Sequence, residues 1–294
     1  MNSYSHLSIE DFEPWFSAVE FKGMGQFGHN NYDDLRNQIL FYNIKNERQS
    51  YVVGCAFVSG FHTAVAALFN SNDIRIERNA VFGCVNSAIR TDGNGIQIRD
   101  NIVGNVYQFQ LWQNNVEQTE NTNFADDKMP AGIDTRGAKD PSLTIAGNTV
   151  IGVDGPCFAG AGQRCESSES CSAASTHTTW TNNVGSGCLS GYLMLWSGQG
   201  ECTKVTGFVF DKMAHYGVTL QSPTAHLVID NLRIHNSVVG IYGILYGPDA
   251  AKHQKTLKPE IKSFLFSINK NNCCYFFQYS ILIISYKNYQ TEKF

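Results

Sequence analysis

Six residues in three short segments carry side chains suited to carbohydrate chemistry. Each segment contributes two residues separated by one position: Arg90 and Asp92, Trp112 and Asn114, and Asp134 and Arg136. Carboxylates gathered on one face could hold Ca²⁺ or serve as the acid and base of a glycosidase. A tryptophan among hydrogen-bonding groups could instead bind a sugar ring without cleaving it. Which chemistry applies depends on the elements that position the three segments.

Those elements are indicated by a repeat. The stretch "IRIERNAVFG", residues 74–83, and the stretch "IQIRDNIVGN", residues 96–105, share the order aliphatic, polar, aliphatic, then an asparagine and a second aliphatic pair. The offset between them is 22 residues throughout. A fixed period of this size is typical of a solenoid, in which each repeat stacks on the next one.

The repeat continues along most of the chain. Its asparagine position recurs at steps of 22–25 residues, apart from one step of 35, at Cys55, Asn79, Asn101, Asn123, Asn148, Asn183, Phe208 and Asn231. An aliphatic or aromatic residue follows about ten positions later, for example Ile89, Leu111 and Ile133. The long step contains a Cys- and Ser-rich insertion at 161–178. The pattern predicts an all-β fold, a right-handed parallel β-helix of the pectin-lyase-like kind with about eight coils of 22–25 residues.

This register also predicts the interior and the turns. Two inward columns are expected, one of Ile74, Ile96 and Leu143 and one of Ile76, Ile98, Ile145 and Trp180. Asparagine adopts the left-handed backbone region readily, and its amide can bond to an asparagine stacked above it. We therefore predict a structural turn ladder with no catalytic role, formed by Asn79, Asn101, Asn148, Asn183 and Asn231.

The same register tests the six candidate residues. Positions one and three after each inward residue should face outward, so the six form an outer strip on three successive coils. Asp92 and Asp134 then lie two coils apart, about 12 Å from each other, which is too far for a carboxylate pair or a shared metal ion. We predict a glycan- or partner-binding strip, with no catalytic residue, metal or cofactor. The alternative is that stacked opposite charges only stabilise a solvated face.

Composition narrows the function classes. The chain of 294 residues is 43% hydrophobic, as expected of a globular protein, and its net charge of −4 without a basic run argues against nucleic-acid binding. Five of its nine cysteines lie between Cys157 and Cys202, with no C-x-x-C pair. Disulfides explain this cluster better than a zinc site, and buried free thiols remain the alternative. We see neither a signal peptide nor a stretch long and apolar enough to span a membrane.

The chain resembles the fibrocystin family of very long cell-surface proteins, which includes fibrocystin-L. The resemblance runs from about Val19 to about Lys262 and is carried by these collinear stretches: "VEFKGMGQFGHNNYDDLRNQILFYNI", "RQSYVVGCAFVSGFHTAV", "AGIDTRG", "LTIAGNTVIGVDGPCF", "TTWTNNVGSGCLSGYLM", "ECTKVTGFVFDKMAHYGVTLQ" and "IYGILYGPDAAKHQ". It implies a fragment that covers one β-helix region, located on the extracellular face of the plasma membrane. An oxidising environment of that kind would account for the cysteines.

We expect three segments. Residues 1–44 form a lead-in that starts the solenoid, 45–262 the β-helix, and 263–294 a tail outside the family pattern, without coil register and either disordered or aberrant. The expected function is a non-enzymatic recognition or scaffold module of a receptor-type surface protein. Its partners would be an extracellular glycan or protein ligand and the rest of the parent protein. The alternatives are a depolymerase of hyaluronan or another acidic polysaccharide, and a product that does not fold alone.

Overall fold

The computed structural model of the chain describes residues 14–26, 35–45, 49–69, 71–107, 129–136, 143–160, 163–164, 180–195, 202–221, 226–245, 258–261, 264–267 and 283–286. Every regular element in these ranges is a β-strand, and none of them forms a helix that could cross a membrane. The all-β class predicted from the repeat is therefore confirmed.

The strands form three sheets, which the chain visits in turn. Sheet A contains β1 (Trp15–Ser17), β4 (Ser50–Val53), β7 (Ile74–Glu77), β10 (Gln97–Arg99), β13 (Thr144–Ala146) and β17 (Trp180–Thr181). Sheet B contains β2 (Glu20–Lys22), β5 (Ala56–Val58), β8 (Ala80–Val85), β11 (Ile102–Tyr107), β14 (Thr149–Val153), β18 (Asn183–Ser186), β20 (Cys202–Asp211), β22 (His226–His235) and β24 (Lys258–Ile261). Sheet C contains β3 (Ile39–Tyr42), β6 (Val65–Leu68), β9 (Ile89–Thr91), β12 (Ile133–Thr135), β15 (Pro156–Gly160), β19 (Ser190–Leu195), β21 (Tyr216–Gln221), β23 (Val239–Leu245) and β26 (Ile283–Tyr286).

Strand pairing within each sheet is parallel along this order. For example, β7 pairs with β4 and with β10, so that each strand lies between its equivalents in the preceding and following coils. One pass through sheets A, B and C makes one coil, and sheet B runs through eight coils from β2 to β22. This arrangement is a parallel β-helix, as predicted.

The interior is filled by straight columns of apolar side chains, one residue from each coil. The column in sheet A is Phe16, Val52, Ile76, Ile98, Ile145 and Trp180, which contains the predicted set. The column in sheet C is Ile39, Val65, Ile89, Ile133, Phe158, Tyr192, Val218 and Ile241, and all eight are buried. Burial of these continuous columns supplies the main stabilisation, since apolar area removed from water is worth about 25 cal/mol per Å².

The interior changes character along the axis. Phe16, Phe21 and Phe57 pack against one another in the first coils, and aliphatic residues fill the middle coils. Further on, an aromatic cluster has neighbouring ring centroids 5.1–6.3 Å apart and consists of Phe158, Trp180, Tyr192, Phe208 and Phe210. Gly185 makes room for them. A Cβ atom there would lie 2.9 Å from the ring of Phe210 and 2.6 Å from Sγ of Cys157.

The turn between sheets A and B uses two adjacent positions with different roles. The first adopts positive φ in every coil from β4 to β22, at Gly54, Arg78, Asp100, Gly147, Asn182, Gly207 and Asn231. The second carries the asparagines that were predicted to be left-handed. Asn231 therefore belongs to the first position, because Leu232 is the residue aligned with Phe208. The prediction placed Asn231 one residue out of register.

One predicted coil does not exist. Ile98 pairs with Ile145 and Val103 with Val150, so the coil of Asn101 stacks directly on the coil of Asn148. The third strand of the Asn101 coil is β12, since Ile133 pairs with Ile89. Leu111 and Asn123, which were assigned to this region, lie outside the described residues. The segment between β11 and β12 is thus an insertion that the 22-residue spacing concealed.

The ends and the insertion at 161–178 contribute further strands. The lead-in provides β1, β2 and β3, which together make the first coil. Within the insertion, β16 (Gln163–Arg164) pairs antiparallel with β20. In the tail, β25 (Phe264–Ser267) pairs in parallel with β22, and β26 pairs with β23. The rest of the tail lies outside the described residues, so the expectation of a disordered or aberrant segment stays a prediction.

Candidate functional site

The predicted outer strip is rearranged by the true register. Arg90 and Asp134 are aligned partners in neighbouring coils of sheet C. Asp92 is therefore offset from Asp134 by one coil and two residues, about 8 Å between Cα atoms rather than the 12 Å expected. Trp112 and Asn114, which were placed between them, lie outside the described residues. Arg90 and Asp92 are half-buried and have interaction partners.

Asp134 and Arg136 are buried, although the strip was predicted to be exposed. The side chain of Asp134 is 0% exposed and that of Arg136 is 6% exposed. Oδ1 of Asp134 accepts hydrogen bonds from the backbone N–H and the Nε of Arg136, at 3.1 and 2.9 Å. Its Oδ2 accepts from Nη2 of Arg136 at 2.7 Å and from Oγ of Ser87 at 3.2 Å. The alternation of side chains correctly predicted that Asp134 lies on the outer side of its strand. It did not predict that this side is buried.

These contacts decide what Asp134 can do. A catalytic carboxylate must present an oxygen to the substrate, and both oxygens of Asp134 are engaged with a buried arginine and a hydroxyl. The pair joins two residues at the end of β12, and the bond from Ser87 ties it to the neighbouring coil, so neither oxygen is free to act as an acid or a base. Asp134 and Arg136 are therefore structural in this arrangement.

The asparagine ladder is continuous over four coils. The backbone N–H and the Nδ2 of Asn79 both donate to Oδ1 of Asn101, each at 3.0 Å. Asn101 bonds to Asn148 in the same way, at 3.1 and 2.9 Å, and Asn148 to Asn183 at 3.2 and 3.0 Å. Each Nδ2 also donates to a backbone carbonyl of the preceding coil, such as that of Ile76 for Asn101. The four side chains are at most 2% exposed, so their amides stabilise the turn and contact no ligand.

A second strip lies on the outer face of sheet A and is partly exposed. Because Phe16, Val52, Ile76 and Ile98 point inward, the residues on either side of them face outward in two columns. We call the following residues the sheet A strip: Trp15, Tyr51, Arg75 and Gln97 in the first column, and Glu77 and Arg99 in the second. Trp15 is 75% exposed, and its ring centroid lies 6.3 Å from that of Tyr51 at an interplanar angle of 54°.

Arg75 links the aromatic and the charged parts of this strip. Its guanidinium carbon lies 5.5 Å from the centroid of the Tyr51 ring, within cation–π range. Its Nε and Nη2 donate to the two carboxylate oxygens of Glu77 at 2.9 and 2.7 Å. The hydrogen bond to Glu77 raises the pKa of Arg75, against a smaller opposing effect of burial. Glu77 is only 8% exposed, so its carboxylate is committed to Arg75.

Arg99 completes the strip with an unused donor. It is aligned with Glu77 in the neighbouring coil, yet its buried Nε has no hydrogen-bond partner within the described part of the chain. A buried donor left unsatisfied costs about 1–3 kcal/mol. The alternation in "IRIE" and "IQIR" already marked Arg75, Gln97 and Arg99 as outward, but the sequence gave no sign that Trp15 and Tyr51 extend the same columns.

Neither a metal site nor a reactive thiol emerges from the described residues. They contain no group of three or more His, Cys, Asp or Glu side chains placed to hold a metal ion. Cys157 and Cys188 form a disulfide between neighbouring coils, as the cysteine cluster suggested. Burial raises the pKa of Cys84 to about 12, so its thiol stays protonated at neutral pH and is a poor nucleophile.

Comparison with known proteins identifies relatives. The chain is 27% identical to fibrocystin-L of Mus musculus over 263 residues, which cover 87% of this chain and 6% of the relative. It is 27% identical to fibrocystin-L of Homo sapiens over 253 residues, covering 85% of this chain and again 6% of the relative. No protein-family model and no solved structure matches. The chain is thus related to fibrocystin-L at the level of a family, as its sequence predicted, and spans about 6% of these relatives.

Proposed function

We propose that this relative of fibrocystin-L is a non-enzymatic recognition and scaffold module that works on the extracellular face of the plasma membrane. The observation that carries the proposal is the state of two carboxylates. Asp134 and Glu77 each accept two side-chain hydrogen bonds from an arginine, and their side chains are 0% and 8% exposed. Carboxylates held in this way are not available for proton transfer to a substrate.

Two further observations support the location and the mode of action. A disulfide between buried cysteines forms and persists in oxidising compartments such as the cell exterior. Stacked coils also present outward side chains in straight columns, which suits the recognition of extended ligands. The partners we propose are an extracellular glycan or protein, together with the rest of a longer surface protein.

A depolymerase of hyaluronan or another acidic polysaccharide is the second candidate. It is favoured by the corrected register, which brings Asp92 and Asp134 into neighbouring coils, with their Cα atoms about 8 Å apart rather than about 12 Å. For this function the Arg136 and Ser87 contacts of Asp134 would have to open in the presence of substrate.

The deciding experiment uses the full 294-residue chain, produced in an oxidising compartment. It would be incubated with hyaluronan, chondroitin sulfate, heparin and neutral dextran, and also applied to intact cells. Retention would be read by pull-down and polymer length by light scattering. We expect retention on a glycan or on cells without any shortening of the polymers. Shortened polymers would overturn the proposal in favour of the enzyme, and the absence of all retention would overturn it in favour of a purely internal spacer.

A further inference from the structure

We propose that the sheet A strip binds an oligosaccharide that carries carboxylate groups, an inference that rests on the recognition function proposed above. The strip combines an exposed aromatic pair with two arginines in adjacent columns. It differs from the strip predicted on sheet C in both sheet and residues.

The strip has an aromatic end, formed by Trp15 and Tyr51. Trp15 is 75% exposed and stands beside Tyr51 on the neighbouring strand, so their two rings form a tilted platform about two strands wide. Aromatic faces of this kind can stack on the apolar face of sugar rings. The platform lies at the end of a column and leaves room for a ligand to continue along it.

The charged side chains of the strip favour an anionic ligand. Arg75 and Arg99 bring two positive charges to the strip, whereas Glu77 brings one negative charge that is already bonded to Arg75. The remaining positive charge is that of Arg99, next to Glu77 in the second column. An anionic group therefore complements the strip, and a guanidinium binds a carboxylate with two parallel hydrogen bonds.

The Nε atom of Arg99 is buried and lacks a hydrogen-bond partner among the described residues. Arginine has five N–H donors in a fixed fork, and a carboxylate docked on the fork bonds to Nε and one Nη together. Because that Nε atom is buried, a ligand carboxylate satisfies it only when the side chain of Arg99 turns outward on binding. Gln97, the neighbour of Arg75 in the first column, offers both a donor and an acceptor to sugar hydroxyls.

The length of the first column matches a short oligosaccharide. The first column from Trp15 to Gln97 spans four strands, about 14 Å at the usual strand spacing of about 4.8 Å. A pyranose ring is about as wide as one strand spacing, so the column accommodates about three sugars side by side. The strip is narrow and has few apolar groups beyond its aromatic end, which favours an extended oligosaccharide over a folded protein partner.

The test measures binding of the full-length chain to a hyaluronan octasaccharide and to the same octasaccharide with its carboxylates reduced to alcohols. This probe carries carboxylates and no sulfate. We expect Trp15→Ala to weaken binding about three- to tenfold and Arg99→Gln about tenfold or more. The carboxyl-reduced probe should bind at least about tenfold more weakly than the native one.

Matched controls lie on sheet B. Tyr107→Ala removes an aromatic side chain that is 49% exposed, and Arg233→Gln removes an exposed arginine. Neither should change affinity more than about twofold. Equal binding by the wild type and the strip variants, or equal binding of the two probes, would overturn this inference while leaving the recognition function intact. Retention on cells but not on the octasaccharide would also overturn it, and retention on neither would overturn the proposed function itself.

Discussion

At the scale of single residues, the turn asparagines act as a shared hydrogen-bonding column. Asn79, Asn101 and Asn148 each donate one Nδ2 hydrogen to the asparagine oxygen of the following coil and the other to a carbonyl of the preceding coil. The oxygen of Asn101 accepts twice, from the Nδ2 and from the backbone N–H of Asn79 in the preceding coil. Removing a member therefore leaves partners in two other coils unsatisfied, which is more costly than the loss of one ordinary bond.

We predict that Asn101→Ala lowers the free energy of unfolding by about 3–5 kcal/mol, because Asn79 and the carbonyl of Ile76 lose their partners. Chemical denaturation of the wild type and the variant measures the difference. Asn94→Ala is the matched control, since Asn94 is exposed and its change should stay within about 0.5 kcal/mol. Equal losses for the two variants would contradict the role of the ladder.

The buried pair of Asp134 and Arg136 gives a second prediction at this scale. Asp134→Asn leaves the guanidinium of Arg136 buried without its counter-charge, and we expect a loss of about 3–5 kcal/mol in the free energy of unfolding. Lys212→Gln is the control, because Lys212 is 72% exposed and its distance to Asp211 is 3.9 Å. That exposed pair should contribute no more than about 1 kcal/mol. A stable Asp134→Asn variant with changed polysaccharide turnover would instead indicate a catalytic carboxylate.

At the scale of elements, most strands are short, and each coil is stabilised by pairing with the coils stacked on it. Strands of three to six residues are not stable alone, but within the stack most of them pair with the equivalent strand on both sides. The disulfide from Cys157 to Cys188 adds a covalent link between the coil of β15 and the coil of β19, next to the aromatic part of the interior. Its two cysteines flank the insertion at 161–178.

We predict that replacing Cys157 and Cys188 with serine lowers the free energy of unfolding by about 3–4 kcal/mol. The disulfide closes a loop with a sequence separation of 31 residues, and its loss restores the loop's conformational freedom to the unfolded chain. Thermal unfolding with and without reductant measures the effect. Reductant should shift the midpoint of the wild type and leave that of the double variant nearly unchanged, and a wild type insensitive to reductant would contradict the prediction.

At the scale of the whole molecule, the three sheets differ in length. Sheet A ends at β17, whereas sheets B and C continue through β22 and β23 and take up two strands from the tail. Those tail strands cover edges of sheets that would otherwise present unpaired backbone groups. The tail is therefore part of the stacking order, although its sequence lacks the repeat.

This arrangement predicts slow hydrogen exchange in the tail. The amides of Phe264–Ser267 should exchange at least about 100-fold more slowly than in an unstructured peptide of the same sequence, because they pair with β22. Exchange measured by mass spectrometry on the full chain provides the test, with the isolated peptide as the reference. Exchange at the peptide's rate would show that Phe264–Ser267 does not pair with β22.

The sequence by itself determined the architecture, the inward columns of sheet A and most of the ladder. These features are local and repeated: an aliphatic alternation fixes which side of a strand is buried, and an asparagine at a constant offset marks the turn. The family relationship was likewise contained in the order of its motifs. Asn231 was misassigned by one residue because asparagine suits both the left-handed position and the ladder.

Only the tertiary structure decided which coils are neighbours and which outward faces are covered. From the spacing alone, Leu111 and Asn123 were assigned to a coil of the solenoid. Which coils stack is set by contacts between strands that are far apart in the sequence, and β10 pairs directly with β13. Alternation placed Asp134 on the outer side, yet burial depends on what packs above that side, and there the side chain is 0% exposed. The sheet A strip likewise required Trp15 and Tyr51 to be brought beside Arg75 by stacking, which no local pattern encodes.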